Sequence, residues 1–114
     1  MTVQIKRVYE TPDPLDGYRV LVDRLWPRGL SKEHADVDLW LKDVAPSPDL
    51  RTWWDHDPDR MEQFATRYRD ELELNPAVAQ LREVIAAHPV VSLLYGAHDP
   101  TVNHARILLA WVER

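Results

Sequence analysis

The run Val90-Val91-Ser92-Leu93-Leu94-Tyr95, with the polar stretch that carries on to His104, constrains the fold of this chain more than any other feature. A short apolar run rich in strand-forming residues suits a strand covered on both faces. Asp99-Pro100 then reads as a helix N-cap followed by proline at the first helical position, where its missing N–H costs nothing. The helix so opened runs to the C-terminus. A buried strand, a polar loop and a helix start make the usual ligand site of an α/β protein. Backbone N–H groups and side chains converge there at the carboxyl edge of the sheet.

The rest of the chain supplies partners for that strand. Val3, Ile5 and Val8, with Gln4 and Lys6 between, give a first strand, and Tyr18–Asp23 gives a second around Val20-Leu21-Val22. The turn-rich segment 11–17 joins them without a helix, so a hairpin competes with a parallel crossover. The second strand ends in Asp23-Arg24-Leu25-Trp26-Pro27-Arg28-Gly29, which cannot continue as helix because Pro27 lacks its donor and restrains Trp26, and Ser31 with Glu33 opens a short helix or turn. Asp38–Lys42 reads as a third strand, and Ser47-Pro48 caps a brief helix carrying Leu50, Trp53 and Trp54.

Asp57-Pro58 opens a helix whose Met61, Phe64, Ala65, Tyr68 and Leu72 share one face, and Asn75-Pro76 caps another with Val78, Leu81, Val84 and Ile85 inward. His88-Pro89 ends that helix. In the last helix Val102, Ala105, Leu108, Leu109 and Val112 lie on one side and Ile107 with Trp111 on another, a surface broad enough for deep burial or a partner chain. Strands alternating with helices predict one α/β domain over residues 1–114, with a short, mainly parallel sheet of about four strands flanked by helices.

Composition narrows the function classes. The chain has 114 residues and no cysteine, so disulfides, thiolate metal sites and a cysteine nucleophile are excluded. A net charge of −5 disfavours nucleic-acid binding, which depends on Lys and Arg neutralising phosphates. No apolar signal core or membrane-length stretch is present, which points to a cytoplasmic protein without a membrane partner. Three glycines and no Walker or Gly-x-Gly-x-x-Gly pattern leave no cradle for a dinucleotide, and no cofactor is expected.

If the later strands are parallel, their carboxyl ends gather Asp23, Arg24 and Arg28, then Lys42, Ser47 and Arg51, then Tyr95, His98, Asp99, Asn103 and His104. Such a collection is what anion binding and acid–base chemistry require, arginine offering a planar fork to carboxylate or phosphate. Structural roles compete at each position. Asp23-Arg24 can close a strand end as an ion pair, Lys42 can be a solvated lysine, and His56 can bond locally. Asp57 and Asp99 have capping places that account for them without chemistry, and His104 can be a satisfied histidine on a helix entering the core.

Together Asp23–Leu30, Ala45-Pro46-Ser47 with Leu50-Arg51, His56-Asp57-Pro58, Leu93-Leu94-Tyr95, Asp99 and Asn103-His104-Ala105 resemble the YeaO-like bacterial proteins, a branch of a larger family named only as a domain of unknown function. The resemblance spans nearly the whole chain. It implies a compact Rossmann-like domain and favours parallel first and second strands. More distant relatives carry a Cys-His-Arg arrangement at the last strand and last helix. Tyr95 and Asn103 stand at the cysteine places here, with His104 kept and Ala105 where arginine would be, so no thiol chemistry carries over.

The leading functional expectation is a pocket for an anionic small molecule, such as a phosphorylated metabolite or nucleotide. Arg24, Arg28 and Arg51 bind the anion, with Lys42, Ser47, His56, Tyr95 and Asn103 as further binding residues. In a catalytic version, Asp23 or Asp99 orients them or acts as base and His104 is the acid–base group. A second expectation is a non-catalytic interaction module, a homodimer through the last helix, with Ile107 and Trp111 as its warrant. A metal-dependent hydrolase using His56, Asp57, Asp99 and His104 comes third, since no metal-ligand spacing supports it and no metal site is assigned.

Overall fold

Val90–Tyr95 (β4) lies inside the sheet with a parallel neighbour on each side. In the computed structural model, which describes residues 2–114, the sheet has the order β1-β4-β2-β3, where β1 is Thr2–Arg7, β2 is Tyr18–Leu21 and β3 is Leu39–Trp40. All pairings are parallel, so the hairpin alternative for β1 and β2 is set aside. The two strands never touch as neighbours because β4 inserts between them. Five helices accompany the sheet: α1 (Lys32–Ala35), α2 (Pro48–Trp54), α3 (Met61–Glu73), α4 (Ala77–Ala87) and α5 (His104–Glu113).

Alternation along the strands separates two unlike faces. Val91, Leu93, Tyr95 and Val20 join Phe64, Tyr68 and Leu72 of α3, Val78, Leu81 and Ile85 of α4, and Ala105, Ile107, Leu108 and Trp111 of α5 in the main core. Each fully buried side chain of this kind contributes about 1.5–3 kcal/mol. Ile107 and Trp111 are buried in this core, so the apolar face of the last helix is consumed within the chain. On the opposite face Leu21 and Leu94 pack with Val8 and with Ala35 of α1.

That second face is also polar. Asp16 is buried with Arg19, whose guanidinium donates to Asp16 and to the carbonyls of Ala35 and Asp36, while Lys6 Nζ lies 3.0 Å from Asp16. Ser92 Oγ donates to Asp16 O at 2.7 Å. These bonds tie the loop between β1 and β2 across the sheet, so that a connection whose only helical part is the 3-10 turn Pro14–Asp16 returns the chain to begin a parallel strand. Burial raises the Asp16 pKa, but the Asp13 N–H, Lys6 and Arg19 outweigh it and hold the carboxyl below its ordinary range.

Element boundaries follow the expected punctuation with three exceptions. Ser31 caps α1, Ser47 caps α2, and Asn75 Oδ1 accepts the Ala77 N–H at the start of α4. Asp57-Pro58 opens a 3-10 turn, Pro58–Arg60, and α3 begins only at Met61. The third strand is short, since Lys42 already starts a 3-10 turn, Lys42–Val44, whose geometry breaks the ladder. Asp99-Pro100 does not open α5. Asp99 Oδ1 accepts the N–H groups of Thr101 and Val102 and closes a local turn, and Asn103 is the cap, accepting from the Arg106 N–H at 3.0 Å.

Candidate functional site

After β2 the chain turns towards α1 on one face of the sheet, and after β4 it turns towards α5 on the other. Neighbouring parallel strands whose continuations part in this way leave a crevice at their carboxyl ends. Here the crevice is a cavity of about 710 Å³. Its walls come from Asp23–Arg28, from the segment between Ala45 and His56, and from Gly96 to His104.

Asp23 stands at its floor. Its backbone carbonyl accepts from the Trp40 indole at 2.8 Å, and its Oδ2 accepts from the Gly96 N–H at 2.8 Å. A Cβ on Gly96 would lie 3.0 Å from that same Oδ2, so glycine lets the carboxylate reach the end of β4. The other oxygen, Oδ1, is buried without a hydrogen-bond partner among the described residues and lies 3.3 Å from Nε2 of His104.

His104 is the first residue of α5. Its Nε2 is 3.0 Å from the Val22 carbonyl as well as 3.3 Å from Asp23. Both neighbours only accept hydrogen bonds, so the ring proton sits on Nε2. Burial pushes the imidazole pKa down, and the charges of His56 and Arg51 add to this against the opposing pull of Asp23 and the Val22 carbonyl. At neutral pH the ring is therefore uncharged. Its Nδ1, with a free lone pair, has no partner among the described residues, while the residue lines the cavity. This group can accept a hydrogen bond or a proton.

Three arginines share the same lining. Arg24 is committed to the backbone, donating to Ala45 O at 3.1 Å and Pro46 O at 3.3 Å. Arg28 is exposed on a turn held by the Trp26 indole on Leu30 O, the Tyr9 hydroxyl on Arg28 O, and Gly29 at a φ of 78°. The guanidinium groups of Arg28 and Arg51 have no hydrogen-bond partner among the described residues and are available to an anion. Trp54, stacked on Phe64 with ring centroids 3.8 Å apart, gives an apolar wall with Val102, Ala97 and Pro46. His56 follows Asp55 in a left-handed pair at φ of 53° and 49°, which turns its ring against Trp54 at 4.7 Å.

The family model described as "Inactive DUF488-N3 subclade" matches residues 2–114. The chain is 38% identical over 113 residues to the uncharacterized protein YeaO of Escherichia coli, covering 99% of this chain and 98% of that protein. It belongs to the YeaO-like family. Uncharacterized proteins of Mycobacterium tuberculosis and Mycobacterium bovis are each 45% identical over 106 residues, covering 93% of this chain and 89% of theirs. No solved structure matches.

In this YeaO-like chain the predicted site residues divide. Asp23, Arg24, Arg28, Arg51, His56, Asp99 and His104 line the cavity. Four do not. Lys42 lies in the turn after β3 with its Nζ over the Trp40 ring. Ser47 Oγ donates to Glu71 Oε2 at 2.6 Å while it caps α2. Tyr95 is buried on the helix-covered face, and burial raises its hydroxyl pKa. Asn103 is fully buried, capping α5 with Oδ1 and donating from Nδ2 to Asp99 O at 2.9 Å. Tyr95 and Asn103 thus serve the fold here.

Sequence reasoning passed over Gly96 as the partner of Asp23, for which a glycine directly after a buried strand was the available signal. Asp57, offered as a metal ligand, is occupied by the Asp59 N–H and lies 3.7 Å from Arg60. No group of three or more His, Cys, Asp or Glu side chains is arranged to hold a metal ion among the described residues. No helix there is long and apolar enough to cross a membrane.

Proposed function

We propose that the crevice binds a small anionic molecule without turning it over. The observation that carries this reading is the pair of unpartnered guanidinium groups, Arg28 and Arg51, on a single cavity with an apolar wall. Its volume, about 710 Å³, lies in the range of small-molecule sites. Arginine supplies a fork for a carboxylate or phosphate, and the three arginines exceed the two aspartates of the lining.

Binding rather than catalysis is favoured by the description of the matching family model as inactive. Thermal unfolding against a panel of phosphate esters, nucleotides and carboxylates tests the proposal. A ligand at a hundred times its dissociation constant adds about 2.7 kcal/mol, a clear shift for a domain of this size. Arg28→Ala should abolish that shift while the unliganded protein unfolds within about 0.5 kcal/mol of wild type, since the side chain holds nothing in the fold. No shift from any anion, or one that survives both Arg28→Ala and Arg51→Ala, overturns it.

A further inference from the structure

The arginines account for the charge of a ligand and leave open what its other end must carry. We propose that His104 selects the ligand of this pocket, admitting an anion whose apolar body bears an O–H or N–H donor and discriminating against the same molecule with that donor methylated. The inference rests on the anion-binding reading above and adds the second half of the ligand.

The argument is one of satisfied and unsatisfied hydrogen-bonding groups. Nε2 faces two acceptors, the Val22 carbonyl at 3.0 Å and Asp23 Oδ1 at 3.3 Å, so the ring proton is fixed on that side. Asp23 cannot swing away, because Oδ2 is held by the Gly96 N–H and its own carbonyl by Trp40. The ring is packed edge-on against Tyr68 at 6.1 Å, and the Tyr68 hydroxyl is itself locked on Val44 O at 2.7 Å. The imidazole, on a residue of the cavity lining, therefore holds a fixed acceptor in Nδ1, while the unpartnered guanidinium groups of Arg28 and Arg51 on the same lining are donors only. A ligand that fills the cavity and offers Nδ1 a methyl group desolvates it without replacement; one that offers a donor satisfies it. Such a group would serve as a general base in an enzyme. In a binding protein it reads a proton on the ligand.

The test uses paired compounds that differ only in this donor: 3- and 4-hydroxybenzoate and 3- and 4-hydroxyphenyl phosphate, each against its methyl ether, by calorimetry on the full chain. At least one hydroxy compound should bind about tenfold tighter than its ether. His104→Phe keeps a ring of similar size and removes the Nδ1 acceptor with the rest of the imidazole's polarity. It should bring that ratio to about one, whereas Arg28→Ala weakens both members of a pair alike. In wild-type protein the ¹⁵N resonance of His104 Nδ1 should move upfield with the hydroxy compound and stay with the ether, which gives a readout independent of the variant's folding. Ethers and hydroxy compounds that bind equally well, or an unmoved Nδ1 resonance, overturn the inference and leave the arginine pocket standing. Absence of Arg28-dependent binding by every compound overturns both.

Discussion

The carboxylate of Asp23, just beyond β2, and the backbone N–H of Gly96, just beyond β4, meet at 2.8 Å. This contact ties together the ends of two neighbouring strands where their chains part, and so forms the floor of the crevice. It also positions the second carboxylate oxygen beside His104.

Gly96→Ala should test how closely that floor is fitted. The new Cβ, 3.0 Å from Asp23 Oδ2, forces the carboxylate to move, at a cost of about 1–3 kcal/mol. In an Asp23→Ala background the obstacle is gone, and the same substitution should cost less than about 0.5 kcal/mol. Urea denaturation of the four proteins measures the coupling, and additive effects would show that the two residues do not constrain each other.

Asn103→Ala removes a buried cap and its donor to Asp99 at once. Loss of about 2 kcal/mol is expected in chemical denaturation, combining the cap with the second bond. Asn103→Ser, which keeps a capping oxygen, should recover about half of it.

Asp16→Asn leaves the guanidinium of Arg19, only 3% exposed, without its counter-charge. Breaking a buried pair in this way should destabilise by about 3 kcal/mol. The pH dependence follows from the same carboxyl. Its folded pKa lies below the ordinary 3.8, so its contribution is complete above that value and is lost as pH falls through the lower one. Melting curves between pH 5 and pH 2.5 should show the wild type losing more stability than the variant.

His104 acts in a separate window. Burial depresses its folded pKa below the ordinary 6.5, so on acidification the unfolded chain takes up the proton first. Stability should therefore be level above about pH 7 and fall as pH drops below about 6.5. His104→Gln should flatten this part of the profile, and an unchanged slope would place the titration elsewhere.

Much of this was legible in the chain. Period and punctuation predicted the strands and helices, because Val90–Tyr95, the Phe64-Tyr68-Leu72 face and the Ser47-Pro48 and Asn75-Pro76 signals act within a few residues of themselves. The clustering of Asp23, Arg28, Arg51 and His104 follows from a parallel arrangement of the strands that carry them. Asp99 misled because an aspartate before proline favours a helix cap and a local turn alike, and Asn103 won the cap by being buried beside the core.

Sequence by itself, then, determined the local elements and the family, since both depend on residue order and short-range chemistry. Only the tertiary structure decided that β4 separates β1 from β2, that Ile107 and Trp111 turn into the core, and that Ser47 and Asn103 serve the fold instead of the cavity. It also decided which nitrogen of His104 is free. Those outcomes depend on contacts such as Val22 with His104 and Asp23 with Gly96, between residues more than 70 positions apart in the chain, where side-chain direction and burial settle what a residue type alone leaves open.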